Sequence, residues 1–121
     1  MNNFNEIKMY IVINDELNMT PGKIASQVGH VVQLIVDELV SNSYEEGLTA
    51  NVINYEKWKL NPTKIILKAS GNRFDRLLEL PNSRHFIDTG KTTQGTKNKI
   101  TAIGFFPGNL NDFFSDYDLV K

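Results

Sequence analysis

Two short apolar runs constrain this chain more than any other feature: Lys8-Met9-Tyr10-Ile11-Val12-Ile13 and Lys64-Ile65-Ile66-Leu67-Lys68-Ala69. Both are rich in β-branched residues, and their apolar centres do not alternate with polar positions. That is the pattern of strands buried on both faces. The residues between them read as helical. Thr20 is placed to cap a helix with Pro21 at its first position, which predicts a helix from about 21 to about 41. A polar stretch over 42–49 precedes a short helix around 52–60 that carries Trp58 and stops at Asn61-Pro62. Phe74, Leu77 and Leu78 are spaced as the apolar face of a further helix over 72–80, ended before Pro81. His85–Asp88 and Ile100–Phe106 read as a third and a fourth strand, followed by a brief helix near 110–114 and an edge segment at Leu119-Val120. Strands alternating with helices over 121 residues predict one α/β domain, 1–121, layered around a small sheet.

Composition removes several alternatives. Hydrophobic residues make up 40 % and charged residues 22 %, the balance of a globular domain rather than of a disordered tail or a coiled coil. No apolar run approaches the ~18 residues that span a bilayer. Met1–Glu6 has neither a basic nor an apolar signal region, so a cytoplasmic protein is expected. There is no cysteine, and the only histidines are His30 and His85. A disulfide scaffold and thiolate zinc are excluded, and no metal is expected. The formal net charge of −1 argues against coating a nucleic acid through bulk charge. Between Asn82 and Leu110, however, Arg84, Lys91, Lys97 and Lys99 face only Asp88, a local +3 that fits one polyanion contact. A solvated lysine-rich loop is the commoner cause of such a run.

The first helix carries two stripes. Ile24, Val28, Val31 and Ile35 form an apolar arc, and Lys23, Gln27 and His30 a polar border at i, i+4 and i+7. A lysine in the first turn faces the positive end of the helix dipole, which is tolerated where something negative is bound. Beside Gly22, it reads as an anion contact. The expectation is that Lys23, Gln27 and His30 line an open cleft, with Lys23→Ala costing little stability.

The second candidate is Asp88-Thr89-Gly90-Lys91-Thr92, at the end of the predicted third strand. An acid there can orient a water or accept its proton, a threonine can donate to an oxyanion or a phosphate, and Gly90 lets a ligand approach the backbone. The Gly-Lys-Thr string is not a phosphate-binding P-loop, because the glycine required five positions before Gly90 is His85.

Taken together, Leu17-Asn18-Met19-Thr20-Pro21-Gly22-Lys23-Ile24-Ala25-Ser26-Gln27-Val28-Gly29-His30, the Asp88–Thr92 loop and the strand ending Ala102-Ile103-Gly104 resemble the type-2 peptidyl-tRNA hydrolase family. The likeness extends from Lys8 to Phe106, and the Gly-Lys-Ile-Ala-x-Gln-x-x-His string carries most of it. The resemblance implies a three-layer α/β/α domain with a four-stranded mixed sheet, often dimeric. It implies hydrolysis of the ester that joins a peptide to the terminal ribose of tRNA, with no cofactor. The implied catalytic residues are Lys23, Asp88 and Thr92, and the implied substrate-binding residues are Gly22, Gln27, His30, Gly90, Lys91, Thr96 and Lys97. A second hydroxyl residue of the family is matched by either Thr96 or Thr101. The proline-glycine usual after the Asp loop is missing from the shortened Gln94–Lys99 stretch, which leaves a catalytically silent tRNA- or protein-binding member as the alternative.

If the basic loop meets tRNA phosphates, Lys91→Ala with Lys97→Ala weakens different tRNAs about equally and lowers the salt dependence of binding. Affinities measured across a salt series check this; unchanged slopes exclude the contact.

Overall fold

A computed structural model describes residues 6–90 and 95–121. Its elements follow the predicted order: β1 (Met9–Asn14), α1 (Pro21–Glu45), α2 (Ala50–Leu60), β2 (Lys64–Ala69), α3 (Gly71–Leu77), β3 (Ser83–Ile87), β4 (Ile100–Phe105) and β5 (Asp118–Leu119). Thr20 and Thr49 cap α1 and α2 through hydroxyls that accept from Lys23 N and Val52 N. The sheet order is β3-β4-β1-β2-β5. β1 and β2 run parallel, with Met9 opposite Lys64 and Asn14 opposite Ala69, and the other pairings are antiparallel. The architecture is a mixed α/β domain with an open mixed sheet.

The lack of alternation in β1 has a direct cause. Met9, Ile11 and Ile13 pack with Val31, Ile35 and Leu39 of α1 and with Tyr55 and Trp58 of α2. Tyr10 and Val12 point the other way, into a cluster with Phe74 and Leu77 of α3, Phe105 and Phe114. Both faces of the central strand are therefore apolar.

Three expectations need correction. The sheet has five strands rather than four, because Leu67 and Lys68 pair with Leu119 and Asp118 and Val120 N donates to Ile66 O. The helix expected over 110–114 is a set of single turns. One helical bond, from Phe114 N to Leu110 O at 3.1 Å, closes it, and Phe114 anchors it by stacking on Tyr10 at 4.9 Å and meeting Phe105 edge-on at 5.1 Å. On α1 the buried line is Lys23, Gln27, Val31, Ile35 and Leu39, while Ile24 and Val28 are half-buried.

That line sits where it does because α1 closes tightly on β4. A Cβ on Gly104 would lie 2.5 Å from Val31 Cγ1 and 2.6 Å from Ile35 Cδ1, so only glycine admits the helix at this depth. Further along, Arg84 of β3 grips Glu38 with two bonds of 2.7 Å. Gly104→Ala is expected to cost about 1–3 kcal/mol through overpacking, measured by urea unfolding. An alanine variant as stable as the parent would mean that α1 is not seated on Gly104.

Candidate active site

The first turn of α1 and the end of β3 meet in a buried polar cluster. Thr20 turns the chain into the helix and Pro21 holds its start, which aims the Lys23 side chain inward. Lys23 Nζ lies 2.9 Å from Asp88 Oδ2, and each residue is 5 % exposed. The negative partner inferred for a lysine at this dipole end is thus supplied by the chain itself. Asp88 follows β3 directly. Its N–H donates to Lys99 O at 3.1 Å and its carbonyl accepts from Asn98 N at 2.9 Å, pinning it against the start of β4.

Three donors converge on the Asp88 carboxylate. The Thr96 hydroxyl and Lys23 Nζ both reach Oδ2, and Gly90 N donates to Oδ1 at 3.2 Å. Gly90 adopts a φ of +81°, and Lys97 Cγ would stand 2.5 Å from a Cβ there, so the turn needs glycine twice over. The Thr96 hydroxyl first, and then Lys23, hold the Asp88 pKa down to about 2, against the opposing effect of burial. Asp88 is ionised throughout the neutral range.

One turn along α1, Gln27 is 1 % exposed and its Oε1 accepts from the hydroxyl of Thr101, which is wholly buried at the start of β4. Both threonines between which the sequence left a choice therefore have work, on different partners: Thr96 on Asp88 and Thr101 on Gln27. Thr101 stands as a lone hydroxyl within the apolar run of β4, and that was the signal available for it.

The expected open cleft is corrected. Lys23 and Gln27 are buried, while His30 alone of the three is exposed, stacked on Phe86 with ring centroids 4.4 Å apart. Gly22 is exposed at the start of α1, and Lys97 and Lys99 are exposed beside the Asp88 turn. Lys91 and Thr92 lie outside the described residues. Among the described residues no cluster of three His, Asp or Glu side chains forms a metal site.

The structure thus brings a cation, an ionised acid and a hydroxyl together in one buried cluster at the end of a small mixed sheet. Sequence comparison gives it a family. The family model described as peptidyl-tRNA hydrolase PTH2 matches residues 7–114, which include every residue of the cluster. A peptidyl-tRNA hydrolase from Sulfurisphaera tokodaii is 32 % identical over 108 residues, covering 83 % of this chain and 84 % of that protein. The chain belongs to the PTH2 family of peptidyl-tRNA hydrolases. It is a hydrolase of peptidyl-tRNA, acting in translation, and tRNA is part of its substrate.

Burial also overturns the expectation that Lys23→Ala is nearly free. Removing one partner from a pair this enclosed leaves an uncompensated charge and is expected to cost about 3–5 kcal/mol by urea unfolding. The folded pKa of Asp88 lies below its ordinary 3.8, so its stabilisation is complete above that value and is lost as the pH falls toward about 2. Acid titration of Asp88→Asn should lack this component; an acid transition identical to the parent's would show that Asp88 is not the group held down.

Proposed function

We propose that Lys23, Asp88 and Thr92 carry the hydrolysis of the ester between peptide and terminal ribose. The observation that supports this reading most is the 2.9 Å Lys23–Asp88 pair, with Thr96 on the same carboxylate oxygen, inside a PTH2 chain. Water adds to the ester carbonyl carbon, negative charge gathers on the carbonyl oxygen, and the bond to the ribose oxygen then breaks, that oxygen taking the proton. The developing charge needs a cation or hydroxyl donor, and Lys23 and Thr92 are the residues assigned to it.

The role of Asp88 follows from its ionisation. A carboxylate held at about 2 has little drive to keep a proton at neutral pH, so it acts chiefly by accepting a hydrogen bond from the attacking water and orienting it. Thr96 fixes the carboxylate, Gln27 with Thr101 supports the neighbouring turn of α1, and Gly90 shapes the loop. Gly22, His30, Lys91 and Lys97 complete the substrate-binding set, the lysines meeting backbone phosphates.

The same reading takes residues 1–121 as one cytoplasmic domain that pairs as a homodimer. It takes the layering as α/β/α, supported by the separate clusters around α1 with α2 and around α3.

Asp88→Asn should lower turnover by roughly 10²–10⁴-fold with little change in tRNA affinity. Release of free tRNA from purified peptidyl-tRNA measures it, with the parent chain alongside. Near-parental turnover would remove Asp88 from the chemistry. Binding without release by the parent chain would identify the silent tRNA-binding alternative.

A further inference from the structure

Arg84, Phe86 and Asp88 share the side of β3 and its extension that faces α1, and each meets a different turn of that helix. Arg84 meets Glu38, Phe86 meets His30, and Asp88 meets Lys23. The outer two contacts are ion pairs that fasten the seam. The middle one is a pair of near-parallel rings, with planes 16° apart, and the chemistry of hydrolysis leaves it unused. His30 is exposed and Phe86 half-buried, so the pair offers aromatic surface to solvent. Beside it opens a hollow of about 250 Å³ lined by His30, Gln33, Leu34, Asp37 and Phe86.

We propose that this stacked pair and its hollow receive an unpaired base from the 3′ end of the tRNA. The inference rests on the peptidyl-tRNA hydrolase reading and names one contact within it. Bases at single-stranded RNA ends are recognised by stacking on aromatic rings, imidazole and phenyl among them. The walls favour a base over a phosphate. Asp37 is exposed there and repels a phosphate, but its carboxylate accepts from a base amino group, while the Gln33 amide both donates and accepts. The placement fits as well. Phe86 lies two residues from Asp88, about 7 Å along an extended chain, which is within the reach of one nucleotide whose ester is held at Asp88. The exposed Lys97 and Lys99 remain for its phosphates.

The test uses the full chain and a short unpaired oligoribonucleotide with 2-aminopurine at its 3′ terminus, whose fluorescence falls on stacking. Quenching is expected with the parent and with His30→Phe, and is lost with His30→Leu, which keeps an apolar contact to Phe86 without a ring. On peptidyl-tRNA, His30→Leu should raise KM by roughly 5- to 150-fold, with a smaller change in kcat, and His30→Phe should restore most of it. Equal quenching and equal KM for the parent and His30→Leu would overturn the proposal. So would a quench lost equally in His30→Phe and His30→Leu, since a ring at this position would then not be what the base meets. A parent chain that quenches but does not release tRNA would instead sink the hydrolase reading and leave the stacking contact standing.

Discussion

The ion pair between Lys23 and Asp88 joins the two segments on which the site depends, the first turn of α1 and the turn after β3. Neither segment could hold its charged group alone. A lysine in the first helical turn opposes the helix dipole, and a carboxylate this enclosed is costly without donors. Together they satisfy each other, and Thr96 and Gly90 add two further donors to the carboxylate. Among the described residues no buried side-chain nitrogen or oxygen is left without a partner, so the cluster is closed as a network.

That closure bears on the chemistry proposed for Asp88. A carboxylate free in a polar cleft would sit near its ordinary pKa and could trade protons. Here a hydroxyl and an ammonium favour the charged form strongly enough to bring it to about 2. The group is thereby fixed as an anion and in one orientation. A fixed anion is suited to positioning a water and to setting the field around Lys23, and poorly suited to storing a proton between steps.

Much of this was legible in the sequence, for reasons that can be named. β1 was readable because burial on both faces leaves an unbroken apolar run, β2 because Ile65, Ile66 and Leu67 make a shorter run on a strand that is largely half-buried, and α1 began where Thr20-Pro21 put it because capping is local chemistry. Lys23 and Asp88 were found as separate motifs, and their meeting is a consequence of sheet order, with β3 beyond β4 and α1 lying across both. What could not be read was the depth of that meeting. Helical spacing places Lys23 and Gln27 at the border of an apolar arc, but it does not say how far the helix sinks. Gly104 decides that, by letting Val31 and Ile35 close on the strand until the border residues are inside. Local pattern marked an edge segment at Leu119-Val120 and a helical turn near 110–114, but not the partners that define them, Leu67 for Leu119 and Tyr10 for Phe114.

The buried face of α1 then reads as two parts with different purposes. Val31, Ile35 and Leu39 belong to the apolar core and hold the helix on the sheet. Lys23 and Gln27 continue the same line into the site, where leucine or methionine would fill comparable space without the desolvation that a charge brings. A buried pair is often no more stabilising than well-packed apolar residues of similar volume, although losing half of it is severe. Stability alone therefore gives no reason for a lysine and a glutamine at the start of this face. Their partners do: Lys23 holds an ionised aspartate, Gln27 holds a threonine hydroxyl, and both partners flank the loop between β3 and β4 that carries the rest of the proposed machinery. The polar end of the helix is where the apolar core gives way to the proposed site, and the glycine that sinks the apolar end into the sheet also sets the depth of the polar one.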